Sequence, residues 1–76
     1  MITVKLFGLL RLDSGIRERQ LEAGSVKDVL QALANCGISR KDLEGCIILV
    51  NGKNANKRSK LTDGDTVVLM SPVAGG

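Results

Sequence analysis

The chain opens on an alternation. Ile2, Val4 and Leu6 interleave with Thr3, Lys5 and Phe7, a period of two that predicts a strand from Ile2 to Leu9 with one face on a core. Asp13-Ser14-Gly15 supplies turn residues, and Ile16 to Leu21 reads as the returning strand of a hairpin. The period then changes. Val26, Val29, Leu30 and Leu33 fall at i, i+3, i+4 and i+7, one stripe of a helix of about ten residues. Ser25 is placed to cap it by accepting from the Asp28 N–H, Asp28 suits the positive end of the helix, and Asn35-Cys36-Gly37 supplies the stop.

Beyond Gly37 the stretch to Gly45 is polar, with a helical turn expected around Arg40 to Leu43. Cys46 to Val50 is continuously apolar and β-branched, the pattern of a buried strand. Asn51-Gly52 makes a tight turn into a short edge strand around Asn54 to Lys57. Leu61-Thr62-Asp63-Gly64-Asp65 is a further turn, and Thr66 to Ser71 a last strand stopped by Pro72. Strands before and after a single helix predict an α+β layer, a mixed sheet of four to five strands with one main helix across one face.

Seventy-six residues support one small domain, with no room for a deep catalytic cleft. Apolar residues at 43% and charged residues at 25% are globular values, so the chain should fold. No apolar run has membrane-span length and the N-terminus is not a signal peptide, which reads as a cytoplasmic protein with no membrane partner. Two cysteines in such a chain are expected to be reduced thiols rather than a disulfide. Cys36 falls at the C-terminal end of the helix, the wrong end to make a nucleophile, and Cys46 starts an apolar strand.

Histidine is absent, which excludes His-based triads, and two cysteines cannot make a four-ligand zinc site, so no metal is expected. The net charge of +3 gathers in Lys53, Lys57, Arg58 and Lys60, either a solvated loop or a surface that favours an acidic partner. Phe7 is the one aromatic residue, which argues against nucleic-acid binding.

The chain stops at Pro72-Val73-Ala74-Gly75-Gly76. Two residues without side chains can bring a terminal carboxylate into a narrow channel, and the four residues after Pro72 reach about 13–14 Å when extended. The domain is therefore read as residues 1–71, with residues 72–76 a flexible tail; an ordinary frayed end is the competing reading.

The strand and helix order, the Leu61-Thr62-Asp63-Gly64-Asp65 turn and the end Ser71-Pro72-Val73-Ala74-Gly75-Gly76 together resemble the ubiquitin-like β-grasp sulfur carriers. Phe7 and Arg11 match residues common there. The Pro-Val-x-Gly-Gly end is most similar to the small subunit of molybdopterin synthase, whereas Asn51-Gly52 is also similar to the thiamine-pathway sulfur carriers. Ser71 stands where the molybdopterin branch often has a second proline.

The resemblance implies that a partner adenylating enzyme uses ATP to activate the Gly76 carboxylate, with Gly75 as its neighbour in the channel and Pro72, Val73 and Ala74 as the rest of the tail. A persulfide enzyme then leaves a thiocarboxylate, and the large subunit of a synthase accepts its sulfur. The chain itself would bind no cofactor and hold no catalytic centre. It also implies that the first and last strands are neighbours, so that Phe7, Val68 and Met70 form a partner-binding patch, with Arg11 reaching the tail or an acidic partner. Asn54 stands about where relatives add a hydrophobic residue to that patch. Other uses of the same end remain open: tRNA thiolation, conjugation to lysines of other proteins as a modifier, or an interaction domain with an inert tail.

Overall fold

A computed structural model describes residues 1–71; the expected tail, Pro72 to Gly76, lies outside the described residues. Eight elements follow in order: β1 (Ile2–Phe7), α1 (Leu9–Ser14), β2 (Glu18–Leu21), α2 (Val26–Asn35), α3 (Arg40–Glu44), β3 (Ile47–Val50), β4 (Lys53–Asn54) and β5 (Thr66–Met70). The strands form one mixed sheet in the order β2-β1-β5-β3-β4. β1 runs parallel to β5 at the centre, and every other pairing is antiparallel.

The alternation in β1 and β5 sorts their side chains cleanly. Ile2, Val4, Leu6, Val67 and Leu69 are all buried on one face, beneath Val26, Val29, Leu30 and Leu33 of α2. Each such side chain taken from water contributes roughly 1.5–3 kcal/mol, so this one layer supplies most of the drive to fold. α2 spans the ten residues that its stripe predicts, with the Ser25 Oγ accepting from the Asp28 N–H at 3.4 Å. α3 places Leu43 in the same core, and Leu61, expected within a turn, is buried there as well.

The structure corrects the sequence at four places. β1 ends at Phe7 rather than Leu9, because Gly8 takes φ 70, ψ −143 and turns the chain out of the sheet. The expected Asp13-Ser14-Gly15 hairpin turn is the end of helix α1, so β1 and β2 pair antiparallel but are joined through a helix, and β2 starts at Glu18 rather than Ile16. Six residues are too few for a helical period to show, yet Gly15 closes the helix with its N–H on the Arg11 carbonyl at 2.9 Å.

The edge strand is Lys53–Asn54 rather than Asn54 to Lys57, since Asn51 and Gly52 with positive φ close a two-residue hairpin. Finally, β3 begins at Ile47 and is not buried on both sides: Ile47 is 44% exposed. All the core-forming helix residues cover one face of the sheet, so a continuous apolar run leaves half its members on the open face.

The turn before β5 is tied by polar groups. Asp65 accepts from the Thr62 N–H at 2.8 Å and from Asn51 Nδ2 at 2.9 Å, and the Asn51 Oδ1 accepts from the Thr66 N–H at 3.0 Å. The Thr62 backbone hydrogen bond, followed by that from Asn51, holds the Asp65 carboxyl below its ordinary value. A depressed carboxylate contributes stability that is present above its unfolded value of about 4 and is lost as pH falls through the lower folded value. Urea unfolding at pH 7 and pH 3 is expected to show Asp65→Asn less stable than the parent at pH 7, with the gap closing at pH 3; a gap independent of pH would refute this role.

Candidate docking face and tail root

The open face of the sheet carries Phe7, Val68 and Met70, the three residues expected to form a partner-binding patch. In the β1–β5 register Phe7 lies beside Met70, and in the β3–β5 register Met70 lies beside Ile47. These three side chains make one row across three strands. The next row runs Lys5, Val68, Leu49 and Asn54. Phe7 is 41% exposed, while Val68 and Met70 are half-buried by their neighbours. An apolar row of this kind at the surface of a small monomer is the usual mark of a partner contact.

Phe7, Val68 and Met70 are therefore brought together, and Ile47 and Leu49 join them. Sequence reading missed these two because a run of five apolar residues hides its own alternation; the signal was the lone helix, which can cover only one side of a sheet. Asn54 sits at the polar end of the Val68–Leu49 row. Arg11 lies within α1, half-buried, with its N–H donating to the Gly8 carbonyl at 3.1 Å.

One residue beyond Met70, the root of the tail is anchored. The Ser71 Oγ accepts from the Leu9 N–H at 2.6 Å, so the end of β5 caps the first turn of α1. Gly8 makes room for it: a Cβ built there would lie 2.5 Å from the Ser71 Oγ. The serine found in place of a second proline thus has a structural partner, which only the β1–β5 pairing supplies. Gly75, Gly76, Pro72, Val73 and Ala74 lie outside the described residues.

Neither cysteine lies on this face. Both are free; Cys36 is exposed at the end of α2, with Arg19 Nη1 donating to its Sγ at 3.8 Å. Burial pushes the Cys46 thiol up from its ordinary value, partly offset by a backbone hydrogen bond and by Lys57, and its S–H donates to the Leu43 carbonyl at 2.9 Å. That makes Cys46 a core thiol at the mouth of β3. The groove between α2 and α3 is about 160 Å³, below the roughly 300–1,000 Å³ of a small-molecule site.

A five-stranded mixed sheet around a parallel β1–β5 pair with one main helix across it defines a ubiquitin-like β-grasp protein. The ThiS family matches residues 4–76, and the chain belongs to that family. Sequence comparison with curated proteins returns no match.

Among solved structures, SAMP1 from Haloferax volcanii is 25% identical with a TM-score of 0.85, covering 99% of this chain and 98% of its own. Small archaeal modifier protein 1 from Methanosarcina acetivorans is 28% identical with a TM-score of 0.80, covering 99% and 95%. The complex of subunits 1 and 2 of the molybdopterin-converting factor from Helicobacter pylori contains a chain 26% identical with a TM-score of 0.75, covering 99% and 97%.

Proposed function

We propose that this chain is a sulfur carrier whose Gly76 carboxylate is adenylated by a partner enzyme, converted to a thiocarboxylate and used as sulfur donor in molybdopterin biosynthesis. The observation that carries this reading is the apolar Phe7–Met70–Ile47 row, which ends one residue before the anchored root of the tail. A partner that grips this row holds the tail at a set distance from its own active site. The likeness to a molybdopterin-converting factor subunit, seen in complex with its companion subunit, supports the choice of pathway.

Activation is required because a carboxylate repels nucleophiles and offers no leaving group. The Gly76 carboxylate attacks the α-phosphorus of ATP, releasing pyrophosphate and leaving an acyl adenylate. A persulfide sulfur then attacks the acyl carbon and AMP departs with the bonding electrons. A thiol cleaves the resulting acyl disulfide, leaving the thiocarboxylate on Gly76 and the oxidised disulfide on the donor. Catalysis of each step belongs to the partners; this chain contributes the acyl group and the docking face. The proposed setting is the cytoplasm, a reading supported by the two free thiols Cys36 and Cys46. ATP is bound by the adenylating partner.

Conjugation to lysines as a protein modifier is the second reading, favoured by the likeness to small archaeal modifier proteins. The intact mass of the chain purified from its own cells, under conditions that spare thioacids, separates the two. Replacement of one terminal oxygen by sulfur is expected, and it should vanish when Gly76 is deleted. Lysine-linked conjugates with an unmodified free tail would establish the modifier, and neither species in the presence of an active adenylating enzyme would refute both.

A further inference from the structure

On the helix side of the sheet, away from the Phe7 row, the first turn of α2 and the segment from residue 56 to 60 enclose an open trough of about 600 Å³. Its lining includes Lys27, Lys57, Arg58 and Lys60 against the single carboxylate of Asp28. Four cations and one anion leave +3, equal to the net charge of the whole chain. The rest of the molecule is therefore neutral, and the excess charge is concentrated at one place. The sequence alone separates Lys27 from the other three by thirty positions; tertiary packing brings it among them.

The frame beneath these cations is fixed. The Val26 N–H donates to the Ser59 carbonyl at 3.0 Å, the Lys27 N–H to the Lys57 carbonyl at 3.1 Å and the Leu61 N–H to the Gly24 carbonyl at 3.0 Å. The Arg58 N–H donates to Asn56 Oδ1 at 2.8 Å, which stiffens the turn that carries Lys57 and Arg58. Among the described residues, no ion pair engages the four cations.

We infer that this trough is a second docking surface, for an acidic protein segment that carries an apolar side chain. Several alternatives are disfavoured by the geometry. The Val26, Lys27 and Asp28 N–H groups at the start of α2 are already taken by Ser59, Lys57 and Ser25, so no backbone donors are left to chelate a discrete anion. Three of the four cations are lysines, point charges without the planar fork that grips a phosphate. No aromatic residue stands near for a nucleobase to stack upon, since Phe7 is on the opposite face of the sheet.

The apolar requirement comes from the adjoining groove. Lys27 and Lys57 also line the space between α2 and α3, where Leu30, Ala34 and Leu43 supply an apolar lining and the Arg40 cation is balanced by the Glu44 carboxylate. The two depressions adjoin, with Lys27 and Lys57 as their shared wall. A segment with carboxylates over the trough and one aliphatic side chain in the groove matches both. Because the trough and the Phe7 row lie on opposite sides, both surfaces can be occupied at once. The inference does not depend on the sulfur-carrier reading.

Amide NMR titration of the full chain at low salt, with a peptide of alternating glutamate and leucine as probe, tests it. Shifts are expected at Lys27, Leu30, Ala34, Lys57, Arg58 and Lys60, with binding that weakens as salt shortens the screening length. The double variant Lys57→Glu/Arg58→Glu should lose on the order of tenfold in affinity, as expected for reversing charges that steer association. Both side chains are exposed, and Lys57→Gln/Arg58→Gln provides a milder variant should the reversal disturb folding. Phe7→Glu should leave this binding unchanged, and polyglutamate without leucine should bind more weakly. Shifts confined to the Phe7 face, no saturable binding, full competition by inorganic phosphate, or equally tight binding of a single-stranded oligonucleotide at the same residues would each overturn the inference.

Discussion

Gly8→Ala is expected to lower the unfolding free energy by about 1.5–4.5 kcal/mol, the sum of backbone strain and a lost cap. Gly8 sits at φ 70, ψ −143, close to a region that only glycine populates freely, and forcing a side chain there costs about 1–3 kcal/mol. The new Cβ would also lie 2.5 Å from the Ser71 Oγ. Serine can rotate away, but it then surrenders the Leu9 N–H, a hydrogen bond worth about 0.5–1.5 kcal/mol.

The two contributions separate in a double variant. Ser71→Ala removes the clash together with the cap, so Gly8→Ala added to Ser71→Ala should cost only the backbone strain, less than Gly8→Ala costs alone. Urea unfolding of the four proteins measures this directly, and equal stability of Gly8→Ala and the parent would show that the junction tolerates a side chain. The functional consequence lies at the tail root: the same substitution releases the end of β5 from α1, so partner engagement should fall even under conditions where the domain stays folded.

Phe7→Glu is expected to leave the fold intact and weaken binding to the adenylating or sulfur-accepting partner by roughly 30-fold or more, the 2 kcal/mol threshold of an interface hot spot. Phe7 stands out from the sheet beside Met70, with Ile47 beyond it, so a carboxylate there reaches water in the free protein. In a complex, it would be pressed into an apolar contact with no partner for its charge. Leu6, the preceding residue, is 1% exposed and faces the core, so Leu6→Glu should unfold the domain. Calorimetric titration with far-ultraviolet circular dichroism distinguishes these outcomes; a Phe7→Glu protein that does not fold would place Phe7 in the core and refute the assignment of its face.

These two sites differ in how they could be read. Phe7 was legible as an outward residue from the Ile2-Val4-Leu6 alternation, and Val68 and Met70 from that of the last strand. Ile47 and Leu49 were not, because neither run nor composition tells a strand covered on both sides from one covered on one. α1 was hidden by its length and by Leu9 and Leu10, which extend the apolar character of β1 past Gly8. The Leu9–Ser71 hydrogen bond lies between residues 62 positions apart in the chain, and no local pattern records it.

The amino-acid sequence by itself determined the ten-residue span of α2, the inward faces of β1 and β5 and the Asn51-Gly52 turn, because each depends on residues within one element or one turn. Tertiary structure alone decided that β1 lies parallel to β5, that Phe7 therefore meets Met70 and Ile47, that Ser71 caps α1 above a bare Gly8, and that Lys27 joins Lys57, Arg58 and Lys60 around one trough. Periodicity states which side of its own element a residue occupies. Which element comes to lie beside it is settled only when α2 closes over the sheet, burying one face and leaving the other open.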